Sequence, residues 1–120
     1  MKKKILSILL LSTILAFASC KRKATVEVGN EGNINIEVTV AGYSDTIPPN
    51  TSSLFEITWN SLSPGSWRTI ELYAQPVGFD NYYDSKTITL YDGDYYYWAT
   101  GWIAEEENKL TRIQINSKGR

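Results

Sequence analysis

The stretch Ile34-Asn35-Ile36-Glu37-Val38-Thr39-Val40 decides the fold class of this chain. Its apolar and polar residues alternate one by one, which is the pattern of a β-strand with one face buried and the other in water. No window of about 11 residues after Lys23 has the 3.6-residue period of an amphipathic helix. The sequence therefore predicts an all-β protein.

The same alternation recurs on both sides of this stretch, and turn residues separate the runs. The further predicted strands contain Val26 and Val28, Phe55 to Trp59, Ile70 to Ala74, Ile88 and Leu90, Tyr95 to Ile103, and Ile113 and Ile115. Asp92-Gly93 is interpreted as a hairpin turn, and residues 75–85 as a long loop. Seven strands in about 95 residues predict a small immunoglobulin-like β-sandwich over residues 24–120. We expect its core to contain Ile36, Val38, Phe55, Ile57, Ile70, Leu72, Ile88 and Leu90.

Residues 1–19 have the three parts of a bacterial export signal. Three lysines precede an apolar stretch from Ile5 to Phe17, and small residues follow it. Thirteen helical residues would span about 20 Å, less than the ~30 Å hydrocarbon core of a bilayer. The segment is therefore predicted to be a cleaved signal peptide and not a permanent membrane span.

The sequence Phe17-Ala18-Ser19-Cys20, which contains the single cysteine of the chain, resembles the lipobox of bacterial lipoproteins. The resemblance implies cleavage before Cys20, a diacylated thioether on its sulfur and acylation of the new amino terminus. Two or more acyl chains hold a protein stably on a membrane, whereas one does so only marginally. Lys21 stands where the best-known sorting rule has Asp for inner-membrane retention. The resemblance therefore implies an outer-membrane lipoprotein of the cell envelope.

Residues 20–23 are expected to be an acylated cysteine followed by a basic tether, because Lys21, Arg22 and Lys23 would lie on anionic headgroups. The net charge of −1 averages over two unlike parts. From Ala24 onward, 6 basic and 13 acidic residues give −7. The overall balance of 12 basic and 13 acidic residues argues against a nucleic-acid partner. An acidic body on a basic stalk would be held off an anionic membrane while the stalk adheres to it.

The composition argues against catalysis. The chain has no histidine and one cysteine, which excludes Ser-His-Asp, Cys-His and His-metal chemistry. The remaining candidates are carboxylates: Asp92 and Asp94 flank a turn glycine, and the run from Glu105 to Glu107 is typical of a solvated turn. We therefore predict a protein that is not an enzyme and needs no cofactor.

Calcium is the metal that these side chains could bind, since oxygen ligands suffice for it. Asp80, Asn81 and Asp84 place three oxygen donors within five residues. The alternative, which we favour, is an ordinary loop with local side-chain to backbone hydrogen bonds.

Fourteen of the 15 aromatic residues follow the signal segment. If Asp92-Gly93 is a two-residue turn, Trp98 and Trp102 face solvent. If Gly93 is a left-handed bulge residue, both are buried, and Tyr95 and Tyr97 are exposed. We favour the second register, which leaves Tyr95, Tyr97 and Tyr73 as candidate ligand-binding aromatics and Trp98 and Trp102 as candidates only in the first.

The turn Ser63-Pro64-Gly65-Ser66-Trp67 and the run from Ile88 to Trp98 are similar to the small PEGA-type domains of bacterial envelope proteins in turn placement and strand order. Two functions stay open at this point. The first is a non-catalytic envelope module that docks a protein partner or belongs to a surface complex. The second is a carbohydrate-binding accessory lipoprotein that stacks surface aromatics on a glycan.

Overall fold

The structure is a computed structural model that describes residues 20–63, 65–106 and 109–112. These residues contain no helix, which confirms the predicted all-β class. They form nine strands: β1 (Lys21–Asn30), β2 (Ile36–Val40), β3 (Tyr43–Ile47), β4 (Ser52–Asn60), β5 (Trp67–Pro76), β6 (Asp84–Tyr91), β7 (Tyr95–Thr100), β8 (Trp102–Glu106) and β9 (Lys109–Arg112).

Three sheets contain these strands. The first has the order β4-β1-β7, in which β1 is antiparallel to β4 and parallel to β7. The second has the order β3-β2-β5-β6 and is antiparallel throughout. Strands β8 and β9 form a separate two-stranded antiparallel sheet.

The inward residues of both larger sheets form one hydrophobic cluster. All eight side chains expected in the core from the period-two pattern are buried, which confirms the phase of the predicted strands. Ala24, Val26 and Val28 join them from β1, and Trp98 joins them from β7. Burial of alternate residues thus ties each sheet to a shared core, where removal of apolar surface from water favours folding.

The nine strands comprise six of the seven predicted strands, one of them divided in two, and two strands that the sequence pattern did not predict, β3 and β9. Strand β3 carries four exposed residues, from Tyr43 to Thr46, so it lacks the apolar alternation that reveals a strand. The predicted strand from Tyr95 to Ile103 is two strands, β7 and β8. Gly101 separates them with a φ of +138°, and its Cα lies so close to the Gly32 amide that a Cβ would stand 2.7 Å from that nitrogen.

The predicted hairpin at Asp92-Gly93 is wrong, because β6 and β7 belong to different sheets. The turn itself is as expected: Gly93 has a φ of +87°, and the Asp94 N–H donates to the Tyr91 carbonyl at 3.0 Å. Its amides also bind β1, since Gly93 N–H donates to Lys23 O at 2.8 Å. The turn is therefore a corner between sheets, where β7 leaves β6 to pair with β1.

The three basic residues of the expected tether, Lys21, Arg22 and Lys23, are the first residues of β1. They pair with residues 58–60 of β4 in antiparallel register. Their backbones take part in the sheet, and Cys20 therefore adjoins the folded domain directly.

The end of the core away from Cys20 is organised by Asn30, whose side chain is buried. Its Nδ2 donates to the carbonyls of Ile34 and Ile47 at 2.8 Å each, and its Oδ1 accepts from the Gly32 N–H at 3.0 Å. One amide side chain thus joins the end of β1 to Ile34, just before β2, and to Ile47, the last residue of β3. No buried side-chain nitrogen or oxygen of the described residues lacks a hydrogen bond.

Two predictions fall outside the described residues: the signal segment 1–19 and the strand at Ile113 and Ile115. The predicted loop after β5 is shorter than expected, because β5 extends to Pro76 and β6 begins at Asp84. Among residues 20–63, 65–106 and 109–112, none belongs to a helix with the length and apolarity needed to span a bilayer.

Candidate functional site

The outer face of the three-stranded sheet brings carboxylates and tyrosines together. In this sheet Glu27 of β1 lies beside Leu54 of β4 and Tyr97 of β7, while Tyr95 occupies the next outward position of β7. The period of two that buries Val26 and Val28 turns Glu27 outward. We call the surface formed by Glu27, Glu31, Leu54, Tyr95 and Tyr97 the Glu/Tyr face.

Hydrogen bonds fix the polar groups of the Glu/Tyr face. The Tyr95 hydroxyl donates to Glu27, and the Ser52 hydroxyl donates to the other carboxylate oxygen of Glu27 at 2.7 Å. The Tyr97 hydroxyl donates to Glu31 Oε1 at 2.6 Å. Both carboxylates are thus held in place by phenols from the parallel neighbour strand.

These contacts shift the pKa values of three groups. The hydrogen bond from Tyr95, aided by that from Ser52, lowers the pKa of Glu27, and the same contact raises the pKa of Tyr95. Burial, followed by the hydrogen bond to Glu31, raises the pKa of Tyr97 to about 12. At neutral pH Glu27 is therefore charged, and the phenols of Tyr95 and Tyr97 are neutral.

A shallow depression of about 260 Å³ opens beside these groups. Glu27, Glu31 and Tyr97 line it on one side, and the loop residues Asn50 and Thr51 line it on the other. Almost every lining group is polar, and two are carboxylates. The depression suits a cationic or hydrogen-bond-donating group better than an apolar one.

Leu54 gives the Glu/Tyr face an apolar element. Its side chain is 66% exposed although it lies in the interior of β4, directly opposite Glu27. Tyr95 is also exposed. Glu27 thus lies between an exposed leucine on β4 and tyrosines on β7, and apolar, aromatic and charged groups side by side are a combination that protein interfaces use.

A second aromatic surface lies on the outer face of the four-stranded sheet. The rings of Tyr73 and Tyr83 stack at a centroid separation of 5.8 Å and an interplanar angle of 12°. Depressions of about 400 and 330 Å³ adjoin Tyr73, and Glu71 lines both of them. Hydroxyl groups of Thr39 and Ser85 complete a polar surface around the stacked rings.

Trp98 and Trp102 are buried, with exposures of 3% and 1%. The burial that we favoured is confirmed, although the hairpin from which we argued it does not exist. Neither ring is available to stack on a ligand, so both are removed from the candidate binding aromatics. Tyr95 and Tyr97 lie on the Glu/Tyr face, and Tyr73 lies on the opposite sheet.

The calcium candidates are already engaged by protein donors. Asp84 accepts a hydrogen bond from Thr100 Oγ1 at 3.1 Å and pairs with Arg112 at 3.0 Å. Asp80 accepts from a glutamine amide of β5 at 3.2 Å, while Asn81 lies in the exposed turn. Within the described part of the chain, no three acidic or cysteine side chains surround a common point.

Two of the carboxylates considered for catalysis, Asp92 and Asp94, stabilise the corner between β6 and β7. Asp92 pairs with Arg22 at 3.4 Å, and Asp94 accepts from the Tyr91 N–H at 2.8 Å. Glu105 lies in β8, beyond the whole length of β7. Asp92 and Asp94 thus share one turn, while Glu105 lies on another strand; that this protein is not an enzyme stays a prediction.

Sequence reasoning missed Glu27, Glu31 and Leu54. The alternation of β1 and β4 indicates that Glu27 and Leu54 point to one side, but only the sheet order places β7 next to them. Trp67 and Tyr83, both exposed, were likewise not singled out. No protein-family model, curated protein or solved structure matches the chain.

Proposed function

We propose that this protein is a lipid-anchored, non-catalytic module of the bacterial cell envelope that docks a protein partner through the Glu/Tyr face. In this proposal acyl chains on Cys20 hold the chain in the outer membrane, and the two larger sheets pack as an immunoglobulin-like sandwich with β8 and β9 appended. The lipobox-like sequence at residues 17–20 supports the anchor. The shared core of both sheets supports the sandwich.

The observation that carries the docking function is the preorganisation of the Glu/Tyr face. Tyrosine contributes a large contact area with few rotatable bonds, so fixing it in an interface costs little entropy. Tyr95 and Tyr97 are already held by Glu27 and Glu31, which lowers the cost further. Leu54 supplies an exposed apolar contact in the same row as Glu27.

The charge of this surface defines the chemistry of the partner. Glu27 and Glu31 are joined by Glu56, which is exposed on the outer side of β4. The region from Ala24 carries −7 in total. Electrostatic complementarity therefore favours a partner that presents lysine or arginine around an apolar patch.

Site-specific photo-cross-linking in living cells tests the docking function. A photoreactive phenylalanine analogue replaces Leu54 in one strain and Tyr43 in a control strain. Both side chains are exposed and both lie on edge strands, but Tyr43 belongs to the four-stranded sheet, away from the Glu/Tyr face. We expect one discrete protein adduct from position 54 and none from position 43. The adduct should disappear when Glu27→Lys is added. Equal labelling at both positions, or none at 54, would refute the proposal.

The anchor has its own test. Cells that take up an alkyne-tagged palmitate should label the wild-type protein and leave Cys20→Ser unlabelled. Fractionation should place the labelled protein with the outer membrane. A wild-type protein without label would refute the anchor while leaving the docking test unaffected.

A second function, carbohydrate binding, is favoured by the stacked pair of Tyr73 and Tyr83. Sugar rings stack on aromatic faces, and hydroxyl and carboxylate groups beside them can bind sugar hydroxyls. Binding on a glycan array should be lost in Tyr73→Ala and Tyr83→Ala but kept in Tyr43→Ala. Absence of binding across a broad array would exclude this alternative.

A further inference from the structure

No linker residues separate the proposed acylation site, Cys20, from the first strand of the sheet. Strand β1 begins at Lys21, whose backbone pairs with Asn60 of β4. The Cys20 carbonyl itself accepts a hydrogen bond from the Ser61 N–H at 3.2 Å. Consecutive Cα atoms lie about 3.8 Å apart. A lipid attached at Cys20 would therefore bring this end of the domain against the bilayer surface.

The same end carries exposed apolar and aromatic side chains. Leu62, in the loop after β4, is 65% exposed, and Trp67, at the start of β5, is 62% exposed. Tyr91, at the end of β6, lies opposite Trp67 in the sheet, with ring centroids 6.3 Å apart. Tryptophan and tyrosine are the residues that membrane proteins place at the level of the headgroups.

Arg22 fixes the Leu62 loop to the strand that follows the anchor. Its Nε donates to the Ser61 carbonyl at 3.2 Å, and its Nη2 donates to the Leu62 carbonyl at 3.4 Å. These two hydrogen bonds tie the Leu62 loop to Arg22, two residues from Cys20. Leu62 therefore lies at the end of the domain where the lipid would be attached.

The charges at this end complement an anionic bilayer. Lys21 and Lys23 are exposed. Two acids at this end lie in the turn before β7. Asp92 pairs with Arg22 at 3.4 Å and accepts from the Lys23 N–H at 3.0 Å. Asp94 accepts from the Tyr91 N–H at 2.8 Å. Each lysine near an anionic surface adds to the attraction. The carboxylates of the Glu/Tyr face lie farther from Cys20, Glu27 in β1 past Thr25 and Glu31 just after the end of β1.

We propose that this end of the domain rests in the headgroup layer of an anionic bilayer, with Trp67 and Leu62 inserted and Lys21 and Lys23 on the headgroups. The proposal rests on the proposed lipid anchor at Cys20. It gives the domain a fixed orientation: β1 runs away from the membrane, and Asn30 lies at the far end. The Glu/Tyr face then stands roughly perpendicular to the membrane plane, where a partner can reach it.

The test first separates acylation of Cys20 from contact of the domain with the bilayer. The full chain is expressed in bacterial cells and purified from membranes, and its mass shows whether Cys20 is acylated. Acylated protein is reconstituted directly into vesicles of phosphatidylethanolamine and phosphatidylglycerol. If the acyl chains are absent, the anchor proposal fails. The Cys20 thiol is then coupled to a maleimide lipid, so that contact of the domain with the bilayer is still measured.

The readout is quenching of tryptophan fluorescence by lipids brominated near the headgroup. Three proteins are compared: the wild type, Trp67→Phe, and Trp67→Phe combined with Tyr83→Trp. Position 83 is exposed and lies eight residues from the end of β6, or about 26 Å at the rise of a strand. It therefore serves as a matched reporter at the other end of the sheet.

We expect the quenched emission of the wild type to come chiefly from Trp67, because Trp98 and Trp102 are buried and Trp59, which pairs with Arg22 at the same end, is only partly exposed. Trp67→Phe should lose at least threefold less, and the tryptophan added at position 83 should restore no quenching. Vesicles of phosphatidylcholine alone should reduce the wild-type effect at least twofold. Quenching that survives in Trp67→Phe, or that is equal at position 83, would overturn the proposed orientation.

Discussion

Tyr97 lies across Gly29 on the outer face of the three-stranded sheet, and a Cβ at position 29 would stand 2.7 Å from its Cζ. Glycine at this position leaves the room that the ring occupies. The same ring carries the hydroxyl that donates to Glu31 at 2.6 Å. A missing side chain on β1 thus determines where a phenol of β7 is held.

Gly29→Ala should displace Tyr97, because the added methyl meets the far end of a flexible side chain. The hydrogen bond to Glu31 would be lost, and we expect the free energy of unfolding to fall by about 1 kcal/mol. Urea denaturation measures the change. Gly65→Ala is the matched control, since a Cβ there meets nothing within 4 Å. Equal stability of the two variants would contradict the predicted displacement.

The stability of the protein should decrease between pH 10 and pH 12 partly through Tyr97. Its pKa rises from 10.0 to about 12 on folding, chiefly by burial, so the folded state binds the proton more tightly than the unfolded state. The contribution is complete below pH 10 and is lost as the pH rises to 12. Urea midpoints across this range should fall less steeply in Tyr97→Phe. Tyr43→Phe, on edge strand β3, should keep the wild-type slope, and a Tyr97→Phe slope equal to it would refute the assignment.

Trp98 and Trp102 should contribute stability and no ligand binding. Because both are buried in or against the core, Trp98→Ala and Trp102→Ala should each cost about 3–5 kcal/mol. Trp67→Ala, at an exposed position, should cost about 1 kcal/mol or less. Thermal or urea unfolding of the three variants measures this order, and a destabilising Trp67→Ala with a neutral Trp98→Ala would reverse it.

Asn30→Ala should be strongly destabilising because it leaves buried backbone groups without partners. The Ile34 and Ile47 carbonyls each lose a donor, and the Gly32 N–H loses an acceptor. At about 1 kcal/mol or more for each, the expected loss is about 3 kcal/mol. Asn81→Ala, in an exposed turn, should be neutral within about 0.5 kcal/mol. A loss below about 1 kcal/mol at position 30 would show that water replaces the amide.

The strand phases could be predicted from the sequence because one face of each sheet is buried. Ile36 and Val38 alternate with polar residues for the same physical reason that they lie inside. Strand β3 could not be predicted, since from Tyr43 to Thr46 neither face is covered. The corner at Gly93 has the residues of a hairpin turn. Local turn chemistry does not specify which sheet the next strand joins.

The candidate site was less accessible to sequence reasoning than the fold. Tyr95 and Tyr97 could be singled out as exposed aromatics from the register that buries Trp98. Their carboxylate partners could not, because Glu27 lies about 70 residues earlier and meets them through a parallel pairing that no local pattern indicates. The basic residues from Lys21 to Lys23 were identified by charge, but their place in β1 depends on β4.

The position of β1 has a consequence for folding kinetics. It is the central strand of its sheet, yet its neighbour β7 is made about 70 residues later, with Thr25 facing Tyr95. The sheet cannot close until the chain has been synthesised as far as Thr100. Pairings this distant in sequence slow folding to milliseconds or seconds. Every strand of the four-stranded sheet has therefore been made before β1 can meet its parallel partner, so the three-stranded sheet is the later of the two to have all its strands.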